Sequence, residues 1–175
     1  MKRNMRTILF PIMVGMIWLF PGPGAFAANQ SPVILESYAA KEISAKDTWK
    51  IYLKASDPDG KMKYIYAVVD QAGGIAYPLS RTRIKSENVK ELSGYIYLNP
   101  APSRYDMSFQ VLTLTVNIGD GSGNFSNAAV FPLTFVPRIM QEPPPSGVFK
   151  EQDLGPILIE LQPAGLGDGN SSSFP

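Results

Sequence analysis

Residues Thr48–Gly60 read TWKIYLKASDPDG, and the fold class follows from how that stretch alternates and how it stops. Trp49, Ile51, Leu53 and Ala55 share one side of an extended chain, with Lys50, Tyr52 and Lys54 on the other. This is the period of a half-buried β-strand. Asp57-Pro58-Asp59-Gly60 then ends it, because Pro58 offers no N–H to a ladder and Gly60 accepts positive φ. Trp49 reads as a core residue at the start of the strand.

Working outward, Val33–Tyr38 is a first strand that Pro32 marks as an edge. Met62–Val69 is a third, with Ile65, Ala67 and Val69 on one face and Tyr64, Tyr66 and Val68 on the other. Both faces are apolar enough to be covered, so periodicity does not say which points inward. Ile75–Leu79 reads as a short fourth strand, and the polar stretch Ser80–Arg83 has no place in the pattern. Alternation returns at Glu91, where Leu92, Gly94, Ile96 and Leu98 point inward and Tyr95 and Tyr97 outward. The longest strand runs from Ser108 to Ile118 and forms a hairpin with Phe125–Val136 through the loop Gly119–Asn124. Pro132 argues that this last strand is an edge. No sustained helical period occurs after residue 27. An all-β, antiparallel two-sheet sandwich of about seven strands is therefore expected.

Beyond Pro137, Glu142-Pro143-Pro144-Pro145-Ser146-Gly147 reads as a stiff extended linker. Pro156–Leu161 is one more strand, either paired back on the sandwich or left for a partner chain, with the proline linker favouring the latter. Gly165–Pro175 has the composition of a disordered tail. The expected organisation is thus residues 1–27, a domain over 28–137, and a linker with tail over 138–175.

Residues 1–27 carry Lys2, Arg3 and Arg6, an apolar run from Ile8 to Phe20, and Ala25-Phe26-Ala27. These are the three parts of a secretory signal peptide cleaved after Ala27, and the run is short of the roughly 20 residues of a membrane span. The expected destination is the periplasm or the exterior, with no membrane span after cleavage. Cleavage leaves 13 of the 16 basic side chains against 15 acidic ones, a net charge of −2. That balance gives no basic footprint for nucleic acid.

The 175 residues contain neither Cys nor His, which removes thiolate nucleophiles, imidazole bases and the usual zinc and copper ligands. Asp57 and Asp59 sit in one tight turn, a poor place for a paired-carboxylate cleft, and Gly121-Ser122-Gly123 has no His to activate its hydroxyl. A non-enzymatic protein is expected. Tyr52, Tyr95 and Tyr97 on sheet surfaces, and Tyr105 in the following loop, are candidate contacts for a protein partner or a polysaccharide. The alternative for these rings is cross-strand pairing within the sheet.

Ala55-Ser56-Asp57-Pro58-Asp59-Gly60 followed by Tyr64, with Val116-x-Ile118-x-Asp120-x-x-Gly123-Asn124 later, resembles bacterial immunoglobulin-like and cadherin-like repeats and their fibronectin type III-like relatives. The resemblance spans roughly Ser31 to Pro137. It implies an immunoglobulin-like sandwich acting in cell adhesion, and calcium at Asp57 and Asp59, with Asp120 and Asn124 as further ligands where the loops converge. The chain lacks the companion glutamates and acidic linker of the cadherin pattern. Two carboxylates fall short of calcium's six to eight oxygens, which favours all four residues as turn formers and leaves the chain without a resident cofactor. The functional expectation is an exported, non-catalytic binding or adhesion module, accessory to a surface or periplasmic assembly. The alternative is a carbohydrate-binding module using surface tyrosines.

Overall fold

A computed structural model describes residues 29–74, 76–100 and 107–164. The alternation at Trp49 is the alternation observed: β3 (Trp49–Ser56) buries Trp49, Ile51, Leu53 and Ala55. It lies between β1 (Val33–Ala39) and β6 (Glu91–Leu98), antiparallel to both, with Ile51 facing Ile96 and Tyr52 facing Tyr95. The Trp49 indole N–H donates to the Ala40 carbonyl at 2.8 Å, which satisfies its one polar atom inside the core. Gly60 adopts φ +66°, and the chain leaves β3 for the opposite sheet through the Asp57–Gly60 turn.

That opposite sheet holds β2 (Glu42–Ile43), β8 (Ala129–Phe135), β7 (Val111–Asp120), β4 (Met62–Asp70) and β5 (Ser80–Arg83), in that order. The first sheet is ordered β1, β3, β6 and β9 (Asp153–Pro156). Seven principal strands pair antiparallel, and two short ones add parallel ladders, β2 on β8 and β9 on β6. The chain is an all-β, immunoglobulin-like sandwich. Its core is the facing surfaces of the sheets, with Ile65, Val69, Leu114, Val116, Leu133 and Phe135 meeting the β3 and β6 residues. Ile65, Ala67 and Val69 are the inward face of β4, which leaves Tyr64, Tyr66 and Val68 outward.

The edges follow the proline signals. β1 begins after Pro32 at the rim of its sheet, where a bulge between Ile34 and Glu36 interrupts the ladder. The Asn127 side chain blunts that rim, accepting from the Ile34 N–H at 2.9 Å and donating to the Ile34 carbonyl at 3.2 Å. β8 has beyond it only the two-residue β2, paired at Thr134 and Phe135.

Four segments differ from expectation. β7 starts at Val111 rather than Ser108, because Phe109 takes φ +67° and breaks the run. The fourth strand is the polar Ser80–Arg83 rather than Ile75–Leu79; an edge strand with outward arginines needs little apolar surface. β8 starts at Ala129 rather than Phe125: Phe125 makes only an isolated bridge to Gly119, and the Ser126 hydroxyl takes the Ile118 N–H, so the ladder does not run continuously through 125–128. The paired strand near the carboxyl end is Asp153–Pro156, ahead of the expected Pro156–Leu161.

The proline-rich stretch read as a linker runs across the outer face of the first sheet. At the β6 edge the segment turns inward beside Gly94: the Tyr95 N–H donates to the Gln152 carbonyl, and a Cβ on Gly94 would collide with that carbonyl and with the core side chain of Leu154. Past β9 the chain ties the two sheets together. The Ile157 N–H donates to the Tyr97 carbonyl, the Leu158 N–H to the Ser80 hydroxyl, and the Thr82 hydroxyl to the Pro156 carbonyl. Leu154, Ile157 and Leu161 are buried in the core, so the apolar run expected to pair back or to await a partner is occupied within its own chain. The amino-terminal segment 1–28, the tail 165–175 and the loop bearing Tyr105 lie outside the described residues.

Candidate functional site

The two acidic turns converge at one end of the sandwich. The Gly121 N–H donates to the Lys61 carbonyl, and Asn29 Oδ1 accepts from both Lys61 Nζ and the Ser122 hydroxyl. The carboxylates of Asp57 and Asp120 accept within their own turns. Asp57 is fully buried; its Oδ1 accepts from the Asp59 N–H and its Oδ2 from the Lys61 N–H, both at 2.9 Å. Asp120 Oδ1 accepts from the Ser122 and Asn124 N–H groups, and its Oδ2 from the Asn124 side-chain amide. Burial pushes the Asp120 carboxyl up, but the hydrogen bonds from Asn124, Ser122 and Gly123 outweigh it and hold the pKa below its ordinary value. Asp59 Oδ2 accepts from the Gln30 N–H at 3.0 Å. Asp57, Asp120 and Asn124 thus hydrogen-bond within their own turns, while Asp59 reaches Gln30 and lies 3.8 Å from Lys61 Nζ. Among the described residues no group of three or more acidic side chains is placed to hold a metal ion.

The expected tyrosines lie on the outer face of the first sheet, and that face is largely occupied. The chain crosses it from β1, where the Tyr38 hydroxyl donates to the Glu142 carbonyl, to β6, where the Lys150 N–H donates to the Ser93 hydroxyl. Tyr52 points outward yet is only 3 % exposed, because the Phe149 ring, 5.6 Å away, and the Tyr95 ring, also at 5.6 Å, close over it. Its hydroxyl donates to Glu151 Oε1 at 2.8 Å, and Lys50 Nζ meets Glu151 Oε2 at 3.1 Å. Burial first, and then the hydrogen bond to Glu151, pushes the Tyr52 phenol up to about 12. The same bonds, from Tyr52 and then Lys50, hold Glu151 below its ordinary value. Tyr95 carries the Lys50 ammonium 4.2 Å above its ring, and Tyr97 pairs with β9.

Among the described residues nothing covers the outer face of the five-stranded sheet. The registers assemble it in rows across β8, β7, β4 and β5: Pro132, Thr113 and Asp70; then Val130, Thr115 and Val68; then Asn117, Tyr66 and Arg81; then Gly119, Tyr64 and Arg83. Val68 and Val130 are exposed apolar side chains on it, and Phe125, 56 % exposed, lies 5.3 Å from Tyr66 at the end of the face. Sequence reasoning did not single out this surface. The signal that could have found it is that Tyr64-x-Tyr66-x-Val68 and Val130-x-Pro132 are each the outward half of an alternating strand, left over once the aliphatic half is assigned to the core.

Among the described residues no helix is long and apolar enough to cross a membrane. Comparison with protein-family models, with curated proteins and with solved structures finds no match to this chain.

Proposed function

We propose that the chain is an exported, non-catalytic immunoglobulin-like module of the adhesion or accessory type, which binds a protein partner through the outer face of its five-stranded sheet. The observation that carries this reading is the asymmetry of the two outer faces. One is largely covered by the chain's own residues 142–152, with Leu35 and Lys54 left exposed beside Phe149, and the other presents Val68, Thr115, Val130 and Pro132 beside Tyr66, Phe125 and Arg81. Aromatic side chains and an arginine set among apolar neighbours are the residue types enriched at protein interfaces. The absence of His and Cys, and the use of Asp57 and Asp120 as turn caps, support a non-catalytic role. The carbohydrate alternative loses support because Tyr52 lies under Phe149, and the Tyr52, Tyr95 and Tyr97 rings are tilted 58–59° to one another rather than forming one flat platform.

The test places a photoreactive benzoylphenylalanine at Thr115 on the open face, or at Lys54 on the other sheet as control, in cells of the source. A discrete protein adduct from position 115, weak or missing from position 54 and lost in the Val68→Asp/Val130→Asp background, is the expected result. Adducts from position 54 alone, or none from either, contradict the reading.

A further inference from the structure

β5 ends the five-stranded sheet, and its side chains carry charge that the fold does not use. Lys63, Arg81, Arg83 and Lys85 are all exposed around the β4–β5 rim. The ion pairs among the described residues are Lys50–Glu151 and Lys61–Asp59, so none of the four meets a carboxylate. The Arg81 guanidinium is instead stacked 4.8 Å from the Tyr64 ring centre, with Lys63 Nζ 5.6 Å from the same ring. Stacking restricts the guanidinium while leaving it without a carboxylate partner among the described residues, which lowers the ordering cost of a later contact.

The backbone of β5 is open on the same side. The Ile84 N–H donates to the Lys63 carbonyl, and antiparallel ladders alternate, so Thr82 and Ser80 face β4 while the peptide groups of Arg81 and Arg83 face away. Residues 156–158 reach β5 through the Thr82 and Ser80 side chains and do not pair with that outward edge. At the end of β5 a groove of about 690 Å³ continues the edge, lined by Lys63, Arg83, Ile84 and Lys85, with Glu87 as its one carboxylate.

We infer that the outer edge of β5 is a docking edge for an extended acidic segment of a protein partner, added as a further strand along Arg81–Lys85. Same-face residues on an extended chain recur about every 6.6–6.8 Å. Carboxylates two residues apart on an incoming strand therefore match the spacing of Arg81 and Arg83, and a third reaches Lys85. Main-chain hydrogen bonds to the Arg81 and Arg83 peptide groups supply the register, and the paired charges supply the choice of partner. The inference rests on the protein-binding reading and adds the chemistry of the partner.

The experiment is an amide NMR titration of the ¹⁵N-labelled mature chain with the blocked hexapeptide TEVETE, its glutamine counterpart TQVQTQ, and phosphatidylglycerol/phosphatidylcholine vesicles. The expected result is a saturable shift of the Arg81, Arg83 and Lys85 amides with the acidic peptide. The affinity should fall about tenfold or more in Arg81→Glu/Arg83→Glu, whose dispersed spectrum reports folding directly, and fall likewise in high salt. No shift at peptide concentrations of about 1 mM, equal shifts with the glutamine peptide, or binding of the vesicles alone overturns the inference. Repeating the position-115 cross-link in the Arg81→Glu/Arg83→Glu background separates the two proposals: an adduct that persists while the acidic peptide fails to shift β5 sinks the docking edge and leaves the open-face reading standing.

Discussion

Ile157 and Leu158 are neighbours in an apolar run, and the fold assigns them opposite fates: Ile157 is 4 % exposed and Leu158 70 %. Ile157→Ala removes three carbons from the core, about 2.4 kcal/mol at roughly 0.8 kcal/mol per buried methylene. A cavity term raises the expected loss to about 2–5 kcal/mol. For a domain of this size that lowers the melting temperature by roughly 4–20 °C, at about 2–4 °C per kcal/mol. Leu158→Ala removes the same number of carbons from solvent and should stay within about 0.5 kcal/mol of the parent. The assay is thermal unfolding of the mature chain, followed by far-ultraviolet circular dichroism. Equal, small shifts in the two variants would mean that residues 157–161 are not in the core, and the reasoning that joins this segment to the sandwich would be refuted.

Gly94→Ala sets a Cβ against the Gln152 carbonyl, a contact that backbone must relieve, so it should cost about 1–3 kcal/mol and raise amide exchange at Gln152–Pro156 before it does so in β3. Asp57→Ala strands the Asp59 and Lys61 N–H groups and should destabilise by about 1–3 kcal/mol, whereas adding calcium or EDTA should leave the melting temperature of the parent unchanged because both Asp57 oxygens are already engaged. Tyr52 has its pKa raised from 10.0 to about 12. The stability it contributes is therefore complete below its unfolded pKa and is lost as pH rises through the folded value. Tyr52→Phe should abolish that alkaline dependence in pH-resolved unfolding curves.

How much of this was legible in the sequence differs from segment to segment. β3 and β7 could be read because each is buried on one face along its whole length, so the two-residue period survives intact. The Asp57 turn could be read because Pro58 and Gly60 have few other uses in that position. β5 could not: Ser80–Arg83 has no apolar face, and it forms a strand only because β4 offers it an edge. The covering of Tyr52 was hidden for a different reason. Phe149 and Glu151 are far along the chain from it, and a composition of three prolines says that residues 143–145 are extended without saying what they lie against. Asn127, which clips both backbone groups of Ile34, carries no local pattern at all. The acidic residues were placed in the right turns, and the resemblance to cadherin-like repeats raised calcium; the hydrogen bonds show each carboxylate oxygen of Asp57 and Asp120 turned toward its own loop.

The central claim is that one outer face of the sandwich is largely covered by the chain's residues 142–152 and that none of the described residues covers the other. Hydroxyl-radical footprinting of the mature protein, read by mass spectrometry, tests it residue by residue. Phe125, 56 % exposed beside the open face, should oxidise rapidly, and Tyr52, 3 % exposed beneath Phe149, should oxidise slowly. Oxidation of Tyr52 at a rate comparable to that of Phe125 would show the first sheet to be uncovered and would contradict the account.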